Sequence, residues 1–192
     1  MTQVRTVAVV VGSLRKDATS RKLAQAFAAL APAHLKFDIV EIGDLPHFDQ
    51  DLESDPPAQW VRFRDEIRAA DAVLFVTPEY NRSVPGVLKN AIDVGSRPYG
   101  HSVWHGKPGA VISLSPGAIG GFGANHHLRQ SLVFLNVPLL SQEAYVGNAF
   151  SLFSESGEIV SEATEEFLKT YAAAFADWIE RIAPAAETRR AA

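Results

Sequence analysis

Three short apolar runs constrain what this chain can fold into more than any other feature. Residues 4–11 read Val-Arg-Thr-Val-Ala-Val-Val-Val and stop at Gly12; residues 72–77 read Ala-Val-Leu-Phe-Val-Thr and stop at Pro78. Residues 110–114 read Ala-Val-Ile-Ser-Leu and run into glycines. Near-continuous, β-branched strands of this kind are buried on both faces, as in a parallel sheet covered by helices. The intervening sequence supplies such helices. Residues 20–30 are rich in Ala, Leu and Lys and close at Ala31-Pro32, and residues 58–70 carry Trp60, Phe63 and Ile67 at helical spacing. Residues 85–94 place a proline in the first turn, where its missing N–H costs least.

The remaining segments complete the alternation. A second strand is predicted over 35–42, a helix over 124–134, a fifth strand over 138–146 and a long last helix over 158–182. The segment 43–57 is polar, holds prolines and is too long for a plain connector. Residues 1–183 thus read as one α/β domain: a doubly wound, five-stranded parallel sheet with helices on both faces, its crossovers right-handed. The tail 184–192 is expected to be disordered. Ligands of such sheets sit beyond the carboxyl ends of the strands, at the switch in strand order. The loops after strands one, three and four should therefore carry the function.

Composition removes several classes of function. The 192 residues include no cysteine, which excludes disulfides, thiolate metal sites and a cysteine nucleophile. Any redox chemistry must then come from a bound organic cofactor. A net charge of −4 without a basic stripe argues against nucleic-acid partners. No run approaches the roughly 18 apolar residues of a membrane span, and no export signal precedes the first strand, so a cytoplasmic protein is expected. The six histidines show no trusted ligand spacing; adjacent His126 and His127 would point about 100° apart on a helix. No metal site is expected. No G-x-S-x-G elbow is present for a serine hydrolase, and the acids at 44, 49, 51, 53 and 55 read as a solvated surface.

The first of the three loops, residues 12–21, is hydroxyl-rich and opens a helix. Ser13, Arg15, Thr19 and Ser20 could hold a phosphate there, or could form no more than a helix cap with a solvated basic turn. It matches neither the nucleoside triphosphate nor the dinucleotide glycine pattern. The second loop brings Tyr80 and Asn81 behind Pro78, a mixture that suits a flat heteroaromatic ring but also an ordinary turn. The third, 115–121, would let backbone approach a ligand closely because its glycines have no side chain in the way.

Taken together, G-S-L-R-K at 12–16, T-P-E-Y-N-x-S-V-P-G-x-L-K-N-A-I-D at 77–93 and S-x-G-x-x-G-G at 115–121 resemble the NADPH-dependent FMN reductase family. The likeness leans towards its quinone, chromate and azo-dye reductases and runs from Val4 to about Ile182. The resemblance implies a flavodoxin-like fold. It further implies that Ser13, Arg15 and Ser20, with Thr19, hold the FMN phosphate. Pro78, Glu79, Tyr80 and Asn81 would line the flavin ring, and Ser115 with Gly117 would close its other side. Many members carry serine where this chain has Ala18 and asparagine where it has Ser20.

A flavin exchanges hydride without a protein acid or nucleophile, so no catalytic side chain is expected. The implied reaction is ping-pong transfer from NADPH or NADH to a small acceptor. The alternatives are a flavodoxin-type electron carrier, which would dock partners through a more acidic face, and a non-enzymatic FMN-binding sensor. A homodimer or homotetramer is expected, because residues 82–98 carry more apolar side chains than one helix needs against its own sheet. Helix 124–134 would add contacts through His126, His127 and Arg129, with Glu143 accepting from the neighbouring chain.

Overall fold

Five parallel strands stand in the order β2-β1-β3-β4-β5 in the computed structural model, which describes residues 3–183. They are β1 (Arg5–Val11), β2 (Leu35–Val40), β3 (Ala72–Pro78), β4 (Gly109–Leu114) and β5 (Ala144–Val146). The helices are α1 (Thr19–Leu30), α2 (Ala58–Ala69), α3 (Gly86–Ser96), α4 (Phe122–Phe134) and α5 (Glu162–Ile182). This is the flavodoxin-like order. The tail 184–192 lies outside the described residues.

Side chains alternate across each strand and so build two cores. Val7, Val9, Val11, Leu74, Val76 and Ile112 pack with Leu23 and Phe27 of α1 and Phe175 and Ile179 of α5. Ala8, Val10, Val73, Phe75 and Val111 face Phe63 and Ile67 of α2, Leu88 and Ile92 of α3 and Leu128 of α4. β3, central in the sheet, is buried along almost its whole length.

Segment 43–57 is a strap pinned to α2 and α3. Asn90 accepts the Phe48 N–H at 2.8 Å and donates to the Pro46 carbonyl at 3.1 Å, while the Trp60 indole donates to the same carbonyl at 3.0 Å. Phe48 stacks on Trp60, and Arg97 reaches Glu53 at 3.0 Å.

Three expectations need correction. The fifth strand pairs only over Ala144–Val146. Leu139 touches Gly109 in an isolated bridge, then exposed Ser141, Gln142 and Glu143 leave the sheet. The last helix starts at Glu162, where the Ser161 hydroxyl accepts the Thr164 N–H; the residues before it turn back so that Ile159 bridges Phe153. The apolar residues of α3 are also not surplus. Leu88, Ala91, Ile92 and Val94 are at most 2% exposed and are consumed by the core beneath them.

Candidate active site

At the end of β1 the backbone is held tight against β3. The Gly12 N–H donates to the Val76 carbonyl, and a Cβ at Gly12 would stand 2.8 Å from the Thr77 hydroxyl. Glycine is required by that approach. The chain then turns through Ser13, whose hydroxyl accepts the Arg15 N–H at 3.4 Å, and enters α1 behind Ala18. Ala18 has no side chain to cap the helix, so the first-turn N–H groups point outward with the positive end of the helix dipole. Ser20 sits in that turn, 2% exposed, and its hydroxyl has no partner among the described residues. A buried unpaired hydroxyl costs about 1–3 kcal/mol, which a ligand that accepts from it or donates to it would offset. Arg15 is exposed, and its guanidinium pairs with no other side chain among the described residues.

After β3, Pro78 leads into a tight turn in which Tyr80 and Ser83 exchange backbone hydrogen bonds at 2.9 and 3.0 Å. Asn81 and Arg82 occupy its corner with φ of 52° and 62°, a left-handed pair that asparagine tolerates and arginine does not favour. The turn stands Tyr80 half exposed and puts Asn81 at the tip. The Glu79 carboxylate faces away, accepting the Ala124 N–H at 3.1 Å. It thus caps α4, whose own N-cap, Gly121, has no side chain.

After β4, the buried Ser113 hydroxyl donates to the Gly120 carbonyl at 2.8 Å and accepts from the Asn125 amide at 3.1 Å. Gly120 and Gly121 both have positive φ, and a Cβ at Gly120 would lie 2.7 Å from the Val146 nitrogen. The Ser115 hydroxyl donates to the Gly117 carbonyl at 3.1 Å.

The three loops meet around one cleft of about 220 Å³. Ser13, Arg15, Thr19, Ser20, Pro78, Glu79, Tyr80 and Ser115 line it; Asn81 and Gly117 do not. Asn81 is the corner of its turn, and Gly117 is a backbone node that also accepts from Gly120 and Asn148. The cleft has a fourth wall that the sequence reading missed, Ala149 and Phe150 behind β5. No motif marks them, but strand order does: β5 lies beside β4, so its loop must lie beside the β4 loop.

Away from the cleft, Glu143 is engaged within its own chain. It accepts from the Tyr145 hydroxyl and lies 3.9 Å from Arg129. Burial first, and then this hydrogen bond, push the Tyr145 hydroxyl up to about 12, so it stays a donor at neutral pH. Among the described residues no cluster of acids and histidines could hold a metal ion.

Residues 5–151 match the NADPH-dependent FMN reductase family. The chain belongs to that family. FMN reductase relatives include a quinone reductase of Pseudomonas putida, 63% identical over 182 residues that cover 94% of this chain and 97% of the relative. A 2-hydroxy-1,4-benzoquinone reductase of a Burkholderia species is 50% identical, covering 90% and 95% respectively. Among solved structures, a flavoenzyme NAD(P)H:(acceptor) oxidoreductase of Paracoccus denitrificans superposes with a TM-score of 0.89 at 46% identity, covering 94% of this chain and all of that one. The chain is therefore an NAD(P)H-dependent oxidoreductase of the FMN-using kind. Its cleft fits the cofactor: an uncapped helix start, an unpartnered buried hydroxyl and an uncommitted arginine stand where a phosphate monoester needs donors.

Proposed function

We propose that this chain reduces quinones, with FMN held in the switch-point cleft and NAD(P)H as donor. The observation that carries the reading is the unpartnered hydroxyl of Ser20, a residue that lines the same cleft as Tyr80 and Ser115. Ser13, Arg15, Thr19 and Ser20 would bind the phosphate, with Ser20 standing where many members have asparagine. Pro78, Glu79 and Tyr80 would flank the ring on one side, Glu79 through its backbone, with Asn81 reaching in from the turn tip. Ser115 and Gly117 would bound the other. When bound, FMN supplies a ring that takes hydride from NAD(P)H and gives it to the acceptor, so the protein needs to bind, orient and exclude water rather than act as a nucleophile. Relatives named as quinone reductases favour this over an electron carrier or a sensor.

The working location is the cytoplasm; among the described residues no helix is long and apolar enough to cross a membrane. The assembly is a homodimer or homotetramer, its contact shifted from α3 to α4, where Phe122, Val133 and Phe134 are 50–84% exposed. Light scattering near 21 kDa, the mass of one chain, would refute it.

Denaturing the purified protein and chromatographing the released pigment tests the cofactor; FMN supports the reading, and FAD or no flavin after incubation with excess FMN defeats it. Mixing the loaded protein with NADPH and a benzoquinone should give sustained NADPH oxidation that depends on the quinone. A single slow reduction without turnover would return the chain to the carrier or sensor class.

A further inference from the structure

The 3-10 turn after β5 (Ala149–Ser151) presents one side chain in an unusual way. Ala149 and Leu152 are 6% and 5% exposed and anchor the turn in the core beneath α1 and α5. Phe150, between them, is 84% exposed. Its support is rigid. The Ala149 N–H donates to the Ser115 carbonyl at 3.0 Å, and the Asn148 N–H donates to the Gly117 carbonyl at 3.3 Å. Gly147 is pressed so close to the β4 loop that a Cβ there would meet the Ala118 carbonyl at 2.5 Å.

Exposure alone carries no argument, since Phe134 on α4 is equally exposed and single surface aromatics are common. Phe150 differs in what it borders. It lines the same cleft as the unpartnered Ser20 hydroxyl, and it stands across the β4 loop from Tyr80, the other exposed aromatic of that lining. A ring fixed on a backbone-tethered pedestal loses little freedom when a ligand covers it, so its apolar area is available for binding at low entropic cost.

We infer that Phe150 is a cofactor-retaining residue, which packs against FMN once the phosphate is seated and keeps water from it. The inference rests on the FMN reading above and adds a binding residue to it. It predicts slower flavin loss, not a change in the chemistry. Holoprotein is diluted and the rise of free-flavin fluorescence is followed for the wild type, Phe150→Ala and Phe150→Leu. Phe150→Ala should release FMN about tenfold faster or more, and Phe150→Leu should recover most of the retention, because the effect is apolar cover. The melting temperature of the flavin-free chain should not change with either variant, since the ring covers nothing in the folded protein.

A wild-type chain that takes up no FMN would defeat the parent reading. Wild-type retention with an unchanged release rate in Phe150→Ala would overturn this inference alone. So would an unchanged release rate with a raised KM for quinone, which would place Phe150 on the acceptor, or with a lowered assembly mass, which would place it at a subunit contact.

Discussion

Arg5 opens β1 and Arg15 lies just past its end, so the same strand carries two guanidinium groups to opposite edges of the sheet. Arg5 is 4% exposed, gripping both oxygens of Glu180 at 2.9 and 3.1 Å and Asp71 at 3.3 Å. Arg15 is exposed and makes no such pair among the described residues. The amino edge of the sheet spends its charge on tying α5 and the β3 entrance to β1. The carboxyl edge leaves charge, a hydroxyl and a helix terminus unspent. In a marginally stable fold, an exposed guanidinium and an unpartnered buried hydroxyl bordering one cleft are suited to a ligand that would complete the structure.

The contrast breaks most visibly at Arg5. Replacing it with alanine removes its bonds to Glu180 and Asp71 while Asp71 keeps the Thr6 N–H, and should cost about 3 kcal/mol of stability in denaturant titration. Flavin affinity of the molecules that remain folded should be unchanged. A small stability loss accompanied by weaker flavin binding would mean that the two edges are not separate. Arg15→Ala tests the opposite corner. FMN affinity should fall by about 1.5–3 kcal/mol, while the melting temperature of the flavin-free chain holds. Unchanged affinity would make Arg15 a solvated charge.

The smallest effect belongs to Glu180. Its hydrogen bond to Arg5, and then the Arg5 charge, hold the carboxyl below the usual carboxylate range. A carboxyl depressed on folding stabilises fully above its unfolded pKa of about 4.3 and loses that contribution as pH falls through the lower folded value. Glu180 is 37% exposed, so water screens the pair and Glu180→Gln should cost less than about 1 kcal/mol at pH 7. The variant should also show a flatter loss of stability with acid, which thermal melts from pH 6 to 3 would record.

Much of this was legible in the chain because the central strands are apolar on both faces and alternate with helical segments, as in a doubly covered parallel sheet. The fifth strand was overread. Residues 138–146 begin and end apolar, and nothing local reports that 141–143 find no partner beside β4. That the hydroxyl-rich turn at 12–21 borders the cleft was legible, because it follows β1 at the carboxyl edge of the sheet and opens a helix. That the Glu79 carboxylate caps α4 was not, since its partner is the α4 backbone 45 residues away in sequence, a contact that only the folded chain creates. Phe150 was missed for a related reason. A phenylalanine between Ala149 and Ser151 looks like any surface residue until strand order sets it at the cleft.

The strap between β2 and α2 has a practical side for protein engineering. Leu45 to Phe48 are stitched to Asn90 and Trp60, and Glu53 is held by Arg97, whereas Ser54 and Asp55 are exposed with no such tether among the described residues. Asn90 belongs to the helix that follows the Tyr80 turn, so lengthening the strap within 45–48 would disturb the footing of the cleft itself. A reporter peptide or affinity tag inserted between Ser54 and Asp55 would extend an exposed bend and leave that footing alone.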